Sequence, residues 1–194
     1  MRRSLVSSSV EVLTDSELNE VLRVTQEDVA ALEESGYTLV GGVRYTTRGF
    51  RAEAVLMMGP ARDRVSTLVG TLLGPVIAIG SASNEKRRLV SRNGSFWQLP
   101  LWELFNDLPA AGPRRLDEAH SAALRQLREV FEPRIRSDEM TIEVMAAELD
   151  EYLRLIEAFR GTYGPTSGFG AIGNDSRSDR RVKKWLSAEP PRHD

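Results

Sequence analysis

The chain contains no cysteine. Disulfides, thiolate metal sites and a cysteine nucleophile are therefore excluded. Histidine is scarce as well. His120 and His193 are the two present, and a triad or an imidazole metal centre needs several such groups converging. No apolar run approaches the roughly 20 residues that span a bilayer. The stretch after Arg2 and Arg3, SLVSSSVEV, is too polar for a signal-peptide core. No P-loop, nucleophile elbow or metal-ligand spacing occurs. These absences predict a cytoplasmic protein with no membrane partner and no cofactor, and they lean against an enzyme.

Two further patterns fail on context. Gly168-Phe-Gly170-Ala-Ile-Gly173 matches GxGxxG, but that pattern binds a pyrophosphate only between a strand and a helix N-terminus. Here a helical stretch precedes it and NDSRSDRR follows. Arg48-Gly49-Phe50 has the basic–glycine–aromatic opening of an RNA-stacking strand, yet Ala52 stands where the second stacking aromatic belongs.

What is present is a strongly patterned stretch from Gly36 to Gly80. Tyr37, Leu39, Val43 and Tyr45 alternate with Thr38, Arg44 and Thr46, the period of a half-buried strand. Gly41-Gly42 within it points to a bulge or a close backbone approach. After a turn at 46–49, Phe50, Ala52, Ala54, Leu56 and Met58 alternate again, so the pair reads as an antiparallel hairpin. Gly59-Pro60 then ends the strand. Val65, Leu68, Val69 and Leu72 fall at helical spacing, with Gly74-Pro75 as a stop. Val76–Ile79 reads as a buried strand.

Upstream, 4–13 is a candidate first strand. Leu18, Val21, Leu22, Val29 and Leu32 form a helical face that opens at Thr14 or Asp15 and stops at Ser35-Gly36. A rival parse breaks this helix at Arg23-Val24, because Thr25 and Asp28 have the spacing of a capping box. That would resemble a helix-turn-helix, but the second helix would present Glu27, Asp28, Glu33 and Glu34 to phosphate. Residues 4–80 thus predict an α+β fold in the order βαββαβ, a ferredoxin-like sandwich with helices on one face of an antiparallel sheet.

Downstream, Asn93-Gly94 predicts a hairpin between 87–91 and 96–99, and Leu101, Leu104, Phe105 and Leu108 a short helix. Phe96, Trp97, Trp102 and Phe105 read as a satellite core. The expected divisions are an α+β domain over 1–108, a linker over 109–115, a helical hairpin over 116–160 and a flexible Gly-rich, basic tail over 161–194. In the hairpin's second helix, Ile142, Met145, Leu149, Tyr152, Ile156 and Phe159 keep a heptad seam. Leu116, His120, Ala123, Leu127 and Val130 answer it from the first. The seam has three destinations: itself, the sheet domain or another copy. In the tail, Val182, Trp185 and Leu186 form one amphipathic turn among basic residues, the form of a docking motif or of a tail that packs back on its own domain.

Charge is segregated. Residues 11–34 carry Arg23 against eight acids, whereas 44–92 carry nine basic residues against three acids. The candidate anion contacts are Arg44, Arg48, Arg51, Lys86, Arg87, Arg88, Arg92, Arg180, Arg181, Lys183 and Lys184. The simpler reading is that acidic helices balance a basic sheet. The sequence therefore predicts a non-enzymatic interaction and assembly protein that oligomerises and recruits a partner through its helical hairpin and tail. The alternatives are a nucleic-acid accessory protein using the basic surface and a small-molecule or anion sensor.

Overall fold

The computed structural model describes residues 9–47, 50–71, 74–84, 87–94, 103–163, 182–183 and 185–187. Strands β1 (Ser9–Val12), β2 (Thr38–Thr47), β3 (Phe50–Met58), β4 (Val65–Val69), β5 (Val76–Ala82), β6 (Arg88–Arg92) and β7 (Glu103–Asp107) make one sheet in sequential order. Every neighbouring pair is antiparallel except β6 and β7, which run parallel. Helix α1 (Asp15–Glu34) lies between β1 and β2 in sequence, and α2 (Pro113–Leu127) and α3 (Ile142–Tyr163) follow the sheet.

Helix α1 is a single helix. Thr14 caps it, with Glu17 completing the capping box. Thr25 is buried within it, its hydroxyl donating to the Val21 carbonyl, and opens no second helix. The β2–β3 hairpin forms as its alternation implies, and the ladder shifts register between Leu39 and Gly41. A Cβ on Gly41 would stand 2.9 Å from the Ile142 side chain, and one on Gly42 2.9 Å from Leu13 and Leu18. The two glycines therefore let layers on opposite faces of the sheet approach the strand closely.

The fold is α+β, but it is not a ferredoxin-like sandwich: seven strands replace four, and helices cover both faces. The expected helix over 65–72 is strand β4, paired with β3 and β5. Ser66 and Leu68 point to one covered face, Val69 to the other, so an apolar set at helical spacing also satisfies a strand buried on both sides. The short helix expected around 101–108 is β7. Asn93 does not lead from β6 into an antiparallel return by β7. Its side-chain oxygen accepts from the Ile77 N–H at 2.8 Å, and β7 joins β6 in parallel. The segment 96–99, with Phe96 and Trp97, and also Trp102, lie outside the described residues.

The helical hairpin is likewise absent. On one face of the sheet Val55, Met57, Leu68, Ile77 and Ile79 pack against Val21, Val29 and Leu32 of α1 and Leu116 of α2. On the other, Val43, Ala54, Leu56, Met58 and Val69 pack against Met145 and Ala146 of α3, with Ile142 and Leu149 beside them. The two predicted partners are thus separated by the sheet, and each apolar stripe is buried against strands instead of the other helix. Residues 109–115 are packed into this arrangement: Ala111 is buried and Pro113 opens α2.

Candidate partner-binding groove

A third apolar cluster lies where β6 and β7 meet the end of α2. Leu89 of β6, Leu104 of β7, Ala123 and Leu127 of α2 and Phe131 just beyond it are all buried there. The side chain that completes the cluster is Trp185, which is fully buried. Its ring lies 5.5 Å from that of Phe131 at an interplanar angle of 43°, a tilted aromatic contact. Val182 and Leu186, one turn before it and one residue after it, are half-buried against the same cluster. The Arg87 guanidinium donates to the Trp185 carbonyl at 2.7 Å and lies 5.8 Å from the indole centroid. The anchor is therefore held through both its side chain and its main chain. Lys183 is exposed on the outer side of the turn.

The predicted α3 seam is occupied by the sheet. Ile142, Met145 and Leu149 pack on the second face, and Ile156 is buried. Tyr152 donates its hydroxyl to Glu103, a fully buried carboxylate on β7. The Arg88 guanidinium stacks 3.8 Å from the Tyr152 ring centroid, and its Nε lies 3.9 Å from Glu103. The Phe159 side chain lies outside the described residues.

The basic residues that are described mostly face carboxylates of the same chain. Arg44 contacts Glu17 at 2.6 Å and Glu53 at 2.7 Å. The Arg44 bond holds the Glu17 carboxyl down at about 2, helped by the Thr14 backbone. Arg92 pairs with Asp107 at 2.5 Å and lies 4.3 Å from the Phe105 ring centroid. Arg51 is exposed, 3.9 Å from Glu53. Arg48, Lys86, Arg180, Arg181 and Lys184, together with the 168–173 glycine pattern, lie outside the described residues.

Two polar arrangements resemble chemistry but are closed. His120 sits between Ser81 (Nε2 to Oγ, 2.9 Å) and Ser91 (Nδ1 to Oγ, 3.1 Å), and all three residues are buried. Burial, reinforced by the Arg64 charge and opposed by Asp63, pushes the imidazole down to about 3. No substrate reaches either hydroxyl, so the triplet is a satisfied core contact. Beside it, Tyr37 donates to Asp117 at 2.6 Å, and Arg64 bridges Asp117, Ser121 and Asp63. A depression of about 360 Å³ at the start of α3 is lined by Leu39, Met58, Arg62, Met140 and Ile142 among others. Arg62 is spent there on the Arg136 and Ser137 carbonyls and on Asp138.

Among the described residues no group of three or more His, Asp or Glu side chains is placed to hold a metal ion. Among them, too, no helix is long and apolar enough to cross a membrane. Leu89, Leu104, Leu127 and Phe131 carry no sequence signal as a receptor, because a residue that lines a groove has the same periodicity as one that fills a core. Val182, Trp185 and Leu186 stood out by their i, i+3, i+4 spacing, and of the two readings that spacing allows, the structure shows the turn packed on its own chain. Comparison with family models, with curated proteins and with solved structures returns no match.

Proposed function

We propose that this is a non-enzymatic interaction and assembly protein that recruits its partner at the groove between β6, β7 and the end of α2. The observation that carries the reading is the burial of Trp185 in that groove by a segment joined to α3 only through residues 164–181. A groove that accepts one aromatic-anchored turn of its own chain has the shape and the hydrogen-bond donor to accept such a turn from another. The side-chain networks support the same reading from the other direction, since the buried His120 and Glu103 face their own chain. A cytoplasmic location is the setting we propose for it, and fractionation of a tagged chain with membranes would contradict that.

The expected affinity follows from burial. An indole removes about 150–250 Å² from water, contributing on the order of 4–6 kcal/mol at ~25 cal/mol per Å². Val182, Leu186 and the Arg87 bond add to this, and ordering the turn offsets part of it. A dissociation constant on the order of 100 µM results. The test is a titration of a peptide spanning residues 180–189 into the full chain carrying Trp185→Ala, followed by amide NMR. Saturable shifts confined to 88–92, 104 and 123–131 are expected, and Phe131→Asp should abolish them. Shifts elsewhere, or none at millimolar peptide, would contradict the proposal.

A further inference from the structure

The segment that fills the groove is covalently attached to the molecule that owns the groove, and this sets who can bind there. Helix α3 lies on one face of the sheet and the groove opens on the other. Moving between them crosses two layer spacings of ~10 Å each, which about six extended residues would span. The chain supplies residues 164–181. That is ample for the segment to reach its own groove, and it sets an effective concentration on the order of 1 mM.

We infer that residues 182–187 are an intramolecular competitor that holds the groove shut against a partner of matching chemistry. That partner is a protein segment with a tryptophan or similar aromatic on one helical turn. It carries apolar residues three before and one after the anchor, and a main-chain carbonyl for Arg87. The inference rests on the groove reading above and adds its regulation. A second copy of this chain is the weaker candidate. Exchange of identical segments gains no new contact, so it requires protein near the effective concentration of ~1 mM. A distinct ligand has no such limit. It gains access in proportion to how much its own affinity exceeds that of the tethered turn, or when the turn is detached.

The size of the effect is set by the ratio of effective concentration to the intrinsic dissociation constant. With ~1 mM against ~100 µM, a competing ligand loses about tenfold in apparent affinity. The experiment uses the full chain and a fluorescent peptide of residues 180–189 as the probe, read by anisotropy. Wild type, Trp185→Ala and Leu186→Ala are compared. Leu186 is half-buried, so its truncation loosens the turn and leaves the rest of the core untouched if Trp185→Ala should impair folding. The expected result is binding about tenfold tighter to Trp185→Ala than to wild type, with Leu186→Ala between them. Equal affinity for all three would overturn the competitor while leaving the groove in place. Absence of binding to both variants, each shown folded by circular dichroism, would overturn the groove and the competitor together. Dimers of wild type at micromolar concentration would overturn the choice of a distinct partner over a second copy.

Discussion

His120 should make the protein lose stability with mild acid, in a window that lies mostly above the range in which carboxylates titrate. Its ring is fully buried between Ser81 and Ser91, and burial together with Arg64 places its pKa at about 3. In the unfolded chain the value returns to about 6.5. Between these values the unfolded state binds a proton that the folded state does not. Stability is therefore fully present above about pH 6.5 and falls as pH drops toward 3. The whole shift corresponds to on the order of 5 kcal/mol. Most of it lies below pH 5, where the carboxylates also titrate. Between pH 8 and pH 5 the histidine supplies most of the change, a loss of about 2 kcal/mol. The serines do not prevent protonation by geometry, since both hydroxyls can accept from an imidazolium. The cost is that of placing a charge in the core near the Arg64 guanidinium. The assay is urea unfolding at pH 8, 7, 6 and 5, with His193→Gln in every background to remove the other histidine. A chain with His120 should lose about 2 kcal/mol over that range. His120→Gln, whose amide can still meet both hydroxyls, should be flat. A flat profile with His120 present, or an equal slope in both, would refute the reasoning.

Other perturbations test the layering. Gly41 has φ +155° and its Cβ position lies 2.9 Å from Ile142. Gly41→Ala should cost about 2–5 kcal/mol through backbone strain and overpacking against α3. Gly74, at φ +109° with open space around it, should cost about 1 kcal/mol on the same change, so equal effects in chemical denaturation would contradict the packing of α3 on β2. Tyr152→Phe removes the hydroxyl that donates to the buried Glu103 carboxylate. A loss of about 1.5–3 kcal/mol is expected, and a change under about 0.5 kcal/mol would mean that this bond does not fasten α3 to β7.

The parts of the fold legible in the sequence were those fixed by local chemistry. Helix α1 announces itself through Thr14 or Asp15 at one end and Ser35-Gly36 at the other. The β2–β3 hairpin and its irregularity follow from two alternating runs and Gly41-Gly42. Strand β4 was not legible, because Val65, Leu68 and Val69 suit a helical stripe and a strand covered on both faces equally well. Only its pairing with β3 and β5 separates the two, and that pairing is non-local. The seams of α2 and α3 were visible as apolar stripes, but a stripe does not say what covers it. Both were matched to each other in sequence, while the strands between them supply the actual contacts. Parallel pairing of β6 with β7 leaves no local mark either. In the third cluster, the tail's apolar turn was readable from the spacing of Val182, Trp185 and Leu186, whereas the residues that cover Trp185 come from three separate stretches and have no signature of their own.

The most direct test of the groove as a separable binding surface is hydrogen–deuterium exchange of the full chain with and without Trp185→Ala. If residues 182–187 are an occupant of a preformed groove, the substitution should speed exchange in 88–92, 103–107 and 123–131. Exchange in α1 (15–34) and in the first part of α3 (142–149) should be unchanged, because those stretches pack on β2 to β5. Unchanged exchange throughout would mean that the segment does not occupy the groove in solution. Faster exchange across the whole sheet and all helices would mean that Trp185 is part of the indivisible core, with no groove for a partner to enter.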